Sequence, residues 1–344
     1  MRAIELRGDT VVLIDQTKLP QRLKLVKCKS VDELVRAIKK MQVRGAPALG
    51  VAAAMALALA ALRSREKDGR ALMRELERAA EKVRRTRPTA INLFRGLERT
   101  LSAARCADKA EEIRKAVVLE AKRLAEEEVE RNRRIGEHGA TLLKNGDVVL
   151  THCNTGALAC VDHGTALGII RTAWAQGKRI KVLATETRPL LQGARLTTWE
   201  LMREGIPVTL ITDGAVGYCL SRGLVDIVLV GADRILADGH LINKIGTYTL
   251  AIAAKHHSVP FYSAAPSSTF DLRSKVGDVI IEDRAPEEVT MIAGKRIAPK
   301  GVKAMNPAFD ITPPELVSGF ITEVGIIKPP FKKNIRKVIG GEGQ

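Results

Sequence analysis

The segment Thr151–Ala159 gives the clearest indication of chemistry, because its one thiol, Cys153, lies between an apolar segment and small helix-forming residues. The preceding Val148–Leu150 is apolar and β-branched, which predicts a strand, whereas Asn154–Gly156 consists of turn and capping residues that predict a helix start. Backbone N–H groups at a helix start lower the pKa of a thiol or hold an anion. From these residues alone, a second interpretation stays open, in which Cys153 is a buried packing residue.

Polar residues also follow the other predicted strands, at Thr185–Arg188, Thr212–Gly214 and Gly231–Arg234. The carboxyl ends of parallel strands meet at one edge of an open sheet, where such folds bind ligands. A single acid at a strand end typically caps a helix, but four successive polar strand ends, counting the one at Cys153, predict a ligand site. The sequence has no Gly-x-Gly-x-x-Gly fingerprint and no P-loop, so a dinucleotide or nucleoside triphosphate is not the favoured ligand.

Two arginines at predicted helix boundaries could bind an anion. Arg44 and Gly45 stand directly before a predicted helix that has Pro47 in its first turn, and Arg87 lies at a second boundary. A guanidinium and the N–H groups of a helix start can share one phosphate. The alternative for each arginine is a surface residue that caps a neighbouring helix.

The elements that must position these residues fall into two parts. In the first part, strands are predicted at 10–14 and 22–26 and helices at 30–41, 46–63, 70–85, 90–105 and 109–144. In the second part, strands that alternate with helices are predicted at 148–151, 180–185, 208–212, 227–231 and 261–264.

This order of elements predicts an α/β fold with a Rossmann-like parallel sheet and helices on both of its faces, in a domain of residues 146–344. A mainly helical domain of residues 1–145 precedes it, with a small strand lead-in. We expect this N-terminal domain to contribute phosphate and substrate contacts.

Charge and composition exclude several classes of protein. The chain has 344 residues and a formal net charge of +17, but its 56 basic residues are interleaved with 39 acidic ones. Only 3% of the residues are aromatic, so no stacking platform accompanies the one basic cluster, at 328–337, and we expect no nucleic-acid partner. The longest apolar stretch, Ala46–Leu62, predicts a buried helix and no membrane span.

The cysteines indicate a reducing compartment. There are five, at irregular spacing, which argues against a disulfide framework, and the N-terminal residues carry no signal-peptide pattern, so we expect the cytoplasm. Cys153, Cys160 and His163 lack the paired spacing of structural zinc ligands, so no metal is expected. His152 is interpreted as a local hydrogen-bonding residue. Packing roles are predicted for the remaining cysteines, Cys28, Cys106 and Cys219.

Eight motifs, in order over nearly the whole chain, resemble the 5-methylthioribose-1-phosphate isomerases. They are Arg44–Ala48, Arg87–Ala90, His152–Gly156, Glu186–Pro189, Gln192–Thr197, Gly231–Arg234, Asn243–Tyr248 and Asn306–Asp310. The same superfamily contains ribose-1,5-bisphosphate isomerases and the regulatory subunits of translation initiation factor 2B. Thr185 and Cys160 depart from the residue types that are common in the family at these positions.

The resemblance implies an isomerase of methionine salvage that converts an aldose 1-phosphate into the ketose 1-phosphate. Cys153 and Asp233 would be the catalytic pair. The phosphate and sugar contacts would be Arg44, Gly45, Ala46, Arg87, Gln192, Asn243 and Lys244. The resemblance further implies no metal or other cofactor and a homodimer. A ribose-1,5-bisphosphate isomerase and a non-catalytic regulatory subunit are the alternatives, and the presence of both Cys153 and Asp233 argues against the second.

The reaction explains why these residue types would be needed. Phosphate blocks the anomeric oxygen, so the enzyme must help the ring C–O bond to break, and Asp233 can protonate the ring oxygen only while it is itself protonated, which burial favours. Hydrogen must then pass from C2 to C1. If it moves as a proton, Cys153 is the candidate base; if it moves as a hydride, a dry apolar pocket matters more. The sequence leaves both routes open.

Overall fold

The computed structural model describes residues 2–87 and 90–340. The chain forms two compact units, one of Met1–Arg133 with Gly156–Gly164 and the other of Arg134–Thr155 with Thr165–Gln344. The main division falls after Arg133, and Gly156–Gly164 belongs to the first unit. Within that unit the Val161 carbonyl accepts the N–H of Ala3 at 2.8 Å.

The first unit contains a small antiparallel sheet and a set of helices. Its strands are β1 (Ile4–Arg7), β2 (Thr10–Ile14) and β3 (Leu25–Cys28), in that order across the sheet. Its helices are α1 (Val31–Lys39), α2 (Ala46–Arg63), α3 (Gly69–Arg84), α4 (Ile91–Arg105) and α5 (Ala110–Ala140). The boundary between the units falls inside α5.

Helix α2 forms the core of the first unit, as the sequence predicts. Its length and apolar composition would also suit a membrane span, but 67% of it is buried inside the protein. A helix that is apolar all round is typical of such a core position. Glycines let it approach α4 closely, because a Cβ added at Gly96 would lie 2.2 Å from the carbonyl oxygen of Gly50.

The second unit contains the remaining elements. Its strands are β4 (Val148–Thr151), β5 (Lys181–Thr185), β6 (Val208–Ile211), β7 (Ile227–Val230), β8 (Arg234–Leu236), β9 (Leu241–Lys244), β10 (Phe261–Ala264), β11 (Phe270–Asp271), β12 (Met291–Ile292), β13 (Lys295–Arg296), β14 (Phe309–Thr312), β15 (Gly319–Thr322) and β16 (Gly325–Ile327). Its helices are α6 (Ala166–Ala175), α7 (Thr198–Arg203), α8 (Val216–Ser221), α9 (Thr247–His256), α10 (Glu287–Thr290) and α11 (Phe331–Ile339).

The main sheet of the second unit has seven strands in the order β16-β15-β10-β7-β4-β5-β6. All neighbours in it are parallel except β15 and β16, which are antiparallel. The parallel strands follow the doubly wound order 3-2-1-4-5-6, which reverses direction between β4 and β7. The predicted Rossmann-like α/β fold is therefore confirmed.

Strand β7 shows how the sheet is buried on both faces. All four of its residues are buried, and successive side chains of a strand point to opposite faces. Ile227 and Leu229 join one hydrophobic core, whereas Val228 and Val230 join the other. This double burial explains why the strand is a continuous apolar run and does not alternate with polar residues.

Several elements were not predicted from the sequence. A second sheet pairs β11, β8, β9 and β14, of which β8 and β11, with three and two residues, are too short for a period-2 signal. Strand β3 begins at Leu25, three positions after the predicted start. The prediction that Cys106 is a packing residue is wrong, because it lies exposed at the C-terminal end of α4.

Candidate active site

Cys153 and Asp233 follow neighbouring strands at the point where the strand order reverses. β4 and β7 are parallel, with Thr151 opposite Leu229, so both strands end at the same sheet edge. The loops that follow them also pack together, because a Cβ added at Gly231 would lie 2.6 Å from the Cγ2 of Thr155. Doubly wound sheets bind ligands in the crevice at this switch point. The structure thus brings the two predicted catalytic residues to one edge.

The prediction that a helix begins beside Cys153 is wrong. Only a short 3₁₀ turn, Ala157–Ala159, follows it, and α6 starts at Ala166. In the first unit, the Leu158 carbonyl accepts a hydrogen bond from the Gln16 side chain at 2.6 Å, in place of the N–H that a helix would supply. A helix dipole at Cys153 therefore has no support in the fold.

Cys153 is instead held in a left-handed backbone conformation. Its φ is +64°, and the residue is buried, with 9% of its surface exposed. Its N–H donates to the Oγ1 of Thr187 at 2.8 Å, and its carbonyl accepts from the Oγ1 of Thr197 at 2.6 Å. Two threonine hydroxyls thus occupy both main-chain hydrogen-bonding groups of the candidate catalytic cysteine.

A chain of hydrogen bonds continues from Thr187 to His152. The Oγ1 atoms of Thr187 and Thr185 are 3.1 Å apart, Thr185 Oγ1 lies 2.7 Å from His152 Nδ1, and His152 Nε2 lies 2.9 Å from the Ile245 carbonyl oxygen. A carbonyl only accepts, so Nε2 carries the proton. Burial lowers the pKa of His152, which favours a neutral ring whose Nδ1 accepts from Thr185. This confirms the interpretation of His152 as a local hydrogen-bonding residue.

On the other side of Cys153, Asn154 is anchored to a buried ion pair. Its Nδ2 donates to Thr197 Oγ1 at 3.2 Å and to Glu200 Oε1 at 2.9 Å. Glu200 pairs with Arg171 at 2.7 Å, and Arg171 also pairs with Glu204 at 2.6 Å. Burial disfavours the charged guanidinium, but the two carboxylates outweigh it and hold the pKa of Arg171 above its ordinary value. The backbone around Cys153 is therefore fixed from both directions.

The polar end of the third strand fixes the loop that carries Thr187. The Asp213 carboxylate accepts the N–H of Thr187 at 2.8 Å and that of Arg188 at 2.7 Å. Thr187 is itself left-handed, with a φ of +62°, and is fully buried. The acid after β6 therefore stabilises an unusual backbone and is not simply a helix cap.

Gln192, Asn243 and Lys244 all lie in the second unit. Gln192 is buried, and its Oε1 has no hydrogen-bond partner among the described residues. Asn243 donates to Thr247 Oγ1 at 3.0 Å. The Lys244 ammonium donates to the Ala308 carbonyl at 2.9 Å and lies 4.7 Å from the centre of the Phe309 ring.

A carboxylate from β14 holds the loop that follows Lys244. Asp310 Oδ2 accepts the N–H of Gly246 at 2.7 Å and of Tyr248 at 3.1 Å, so it caps the start of α9. Burial raises the pKa of Asp310 to about 6, against the lowering effect of these hydrogen bonds. The loop is thus held by Asp310 and, through Ile245, by His152.

The remaining predicted contacts lie in the first unit. Gly45 is the residue before α2, with a φ of +103° and no side-chain cap, and Ala46 is the first residue of the helix. A Cβ at Gly45 would lie 2.2 Å from the Ala159 carbonyl oxygen, so only glycine fits. Arg44 is buried beside it, whereas Arg87 lies half-buried between α3 and α4. Pro88 and Thr89 of the second arginine motif lie outside the described residues.

Sequence reasoning missed the supporting residues. Thr187 and Thr197 lie inside two of the motifs that carry the resemblance, but their contacts with Cys153 span 34 and 44 positions and leave no periodic signal. Glu200 was missed for the same reason. Across residues 2–87 and 90–340, no three His, Cys, Asp or Glu side chains are grouped so that they could hold a metal ion.

The fold and the site define a doubly wound α/β protein with polar side chains gathered at the switch point between β4 and β7. Residues 42–329 match the initiation factor 2 subunit family, IF-2B, and the chain belongs to that family.

Three relatives are similar over almost their whole length. The methylthioribose-1-phosphate isomerase of Thermosipho africanus is 52% identical over 97% of each chain. The crystal structure of 5-methylthioribose 1-phosphate isomerase from Pyrococcus horikoshii is 44% identical, with a TM-score of 0.93 over 99% of this chain and 96% of that one. A structure from A. fulgidus, described as translation initiation factor eIF-2B subunit delta, is 54% identical, with a TM-score of 0.90 over 99% of each chain.

Proposed function

We propose that the chain is an aldose–ketose isomerase that converts 5-methylthioribose 1-phosphate into 5-methylthioribulose 1-phosphate. The observation that carries the proposal is the placement of Cys153 and Asp233 after neighbouring parallel strands, at the switch point of the sheet. The names of the relatives from T. africanus and P. horikoshii support the same substrate. We further assign the reaction to methionine salvage.

In the proposed reaction, Asp233 protonates the ring oxygen while the bond from that oxygen to C1 breaks. The hydrogen on C2 is then transferred to C1, and the C2 hydroxyl loses a proton, which balances the proton that Asp233 gave. In a proton route, Cys153 takes the hydrogen from C2 and returns it to C1 through an enediol. In a hydride route, the hydrogen passes directly, and the buried surroundings of Cys153 exclude water.

The other residues that we assign bind the substrate. Arg44, Gly45 and Ala46 combine a guanidinium with the start of α2, which suits a phosphate, and Arg87 would add a second guanidinium. Gln192 offers its unpaired buried oxygen to a sugar hydroxyl. We further assign Asn243 and Lys244 to the sugar or its phosphate. The reaction needs no metal or other cofactor, because acid–base groups can carry each step.

We also propose that the protein works in the cytoplasm as a homodimer, and that its binding partner is the small phosphorylated sugar, with no nucleic acid or membrane partner. The relatives that support the reaction are metabolic enzymes by name.

A second candidate function is that of a non-catalytic regulatory subunit. The relative from A. fulgidus, which is described as an initiation factor subunit, favours it. A ribose-1,5-bisphosphate isomerase is a third candidate; it would need cations around the C5 phosphate where the methylthio group needs apolar contacts. The three functions differ in which substrate, if any, is turned over.

The test is to incubate the protein separately with 5-methylthioribose 1-phosphate and ribose 1,5-bisphosphate and to follow ketose formation by NMR. Turnover of the first substrate alone, or strongly in preference to the second, supports the proposal. Preference for the bisphosphate would favour a ribose-1,5-bisphosphate isomerase. Turnover of neither substrate would favour the regulatory subunit. In D₂O, incorporation of solvent deuterium at C1 would establish the proton route, because the hydride route keeps the original hydrogen.

A further inference from the structure

We propose that the buried hydroxyls of Thr187 and Thr197 are positioning groups that hold Cys153 in its left-handed conformation and so aim its thiol at the substrate. The inference rests on the proposed function, because it matters for turnover only if Cys153 is a catalytic residue. Neither threonine is among the residues that the sequence assigns to the reaction. Both act on the cysteine through its backbone.

The first support is the conformation itself. A non-glycine residue with a φ of +64° is uncommon, and such residues persist where the surrounding structure fixes them, often at functional sites. At Cys153 the fixing groups are two hydroxyls: Thr187 accepts the N–H at 2.8 Å, and Thr197 donates to the carbonyl at 2.6 Å. The two hydroxyls therefore define both peptide planes of this residue.

The second support is that each hydroxyl makes hydrogen bonds that an apolar side chain of the same shape cannot make. Thr187 is held left-handed by the Asp213 carboxylate, which points its hydroxyl at Cys153. Thr197 Oγ1 also accepts from Asn154 Nδ2 at 3.2 Å. Both threonines are 0% exposed, so water cannot replace a lost hydroxyl. Hydrogen bonding, and not volume, is what these positions require.

The test compares Thr187→Val and Thr197→Val, which keep the shape, with Thr187→Ser and Thr197→Ser, which keep the hydroxyl. Thr312→Val is the matched control, because Thr312 is also 0% exposed and its Oγ1 has no hydrogen-bond partner among the described residues. We expect each valine variant to lower kcat by about 10²-fold, as a misplaced reacting group does, with little change in KM. The serine variants and Thr312→Val should stay close to wild type.

A second readout follows the thiol itself. The rate at which iodoacetamide alkylates Cys153 is measured against pH by peptide mass spectrometry, and the exposed Cys106 serves as the reference in the same sample. We expect both valine variants to shift the pH profile of Cys153 and leave that of Cys106 unchanged, and the serine variants to restore it. If a valine variant does not fold, the alanine variant of the same position takes its place.

Valine variants with wild-type kcat and wild-type alkylation would overturn the inference. Serine variants with as large a loss of kcat as the valine variants would also overturn it, because the loss would then come from the changed shape of the side chain and not from the lost hydroxyl. Failure of the proposed function is a different result: wild-type protein would turn over neither sugar phosphate, while the alkylation profiles would still show whether the threonines position the thiol.

Discussion

His152 and Ile245 join two loops of the candidate active site, because the Nε2–H of His152 donates to the Ile245 carbonyl oxygen at 2.9 Å. One loop carries Cys153, and the other follows the predicted substrate contacts Asn243 and Lys244. A neutral histidine can make this bond while it accepts from Thr185 on its other nitrogen. The side chain therefore couples the positions of the two loops.

We predict that His152→Phe lowers the free energy of unfolding by about 2–6 kcal/mol. The phenyl ring removes the donor to the Ile245 carbonyl and the acceptor of the Thr185 hydroxyl, which keeps only Thr187 Oγ1 at 3.1 Å. Each buried group that loses a hydrogen bond in this way costs about 1–3 kcal/mol. His152→Gln, which keeps a donor and an acceptor, should lose less. Urea unfolding followed by circular dichroism measures both values. Equal stability of wild type and His152→Phe would mean that the two hydrogen bonds contribute nothing.

The candidate phosphate site gives a second prediction. Gly45→Ala should destabilise the protein and raise KM, because the new Cβ would lie 2.2 Å from the Ala159 carbonyl oxygen at a φ of +103°. Gly146→Ala is the matched control, since its φ is +91° and nothing lies within 4 Å of its Cβ. Thermal unfolding and substrate kinetics compare the two. The control should lose only the cost of a left-handed backbone at alanine, about 1–3 kcal/mol of the free energy of unfolding. An equal loss of stability in both variants would refute the steric argument.

The buried ion pair behind Asn154 leads to a third prediction. Glu200→Gln should lower the free energy of unfolding by about 3–5 kcal/mol, because it leaves part of the buried Arg171 charge uncompensated. Glu126→Gln removes the corresponding group from the pair with Arg2, whose side chains are 60% and 32% exposed, and should cost about 1 kcal/mol or less. Denaturant unfolding measures the loss of stability in both variants. A loss in Glu200→Gln as small as that in Glu126→Gln would contradict the prediction.

Asp310 gives a pH-dependent prediction. Its folded-state pKa of about 6 lies above its ordinary value of 3.8, so between these values the folded protein binds the extra proton. Stability contributed by Asp310 is therefore present below about pH 4 and is lost as the pH rises to about 6. The free energy of unfolding of wild type, minus that of Asp310→Asn, should fall over this range and stay level above it. A difference that rises with pH would show that the pKa is lowered.

The sequence predicted those parts of the fold whose signal is local. The run Ile227–Val230 is apolar and β-branched, and it forms the central strand β7. Likewise, Gly45 and Pro47 marked the start of α2, where the structure has it. Strands such as Arg234–Leu236 escaped prediction because three residues carry no measurable period.

The sequence predicted where the candidate catalytic residues lie relative to the strands, but not the residues that support them. A thiol at the end of β4 and an acid after β7 could be read from the order of strands and polar residues. The helix start expected beside Cys153 was wrong, because only a 3₁₀ turn forms there and the Leu158 carbonyl accepts from Gln16, 142 positions away. The left-handed backbone at Cys153 depends on partners 34 and 44 positions away, which no local pattern shows.

The central claim is that Cys153 and Asp233 carry the turnover of 5-methylthioribose 1-phosphate. Its most direct test is the rate of ketose formation, followed by NMR, for wild type, Cys153→Ser and Asp233→Asn, with circular dichroism to confirm that each variant is folded. We predict that each substitution lowers kcat by about 10²-fold or more, the usual contribution of an acid–base group. A folded variant of either residue that keeps a near-normal rate would remove that residue from the mechanism.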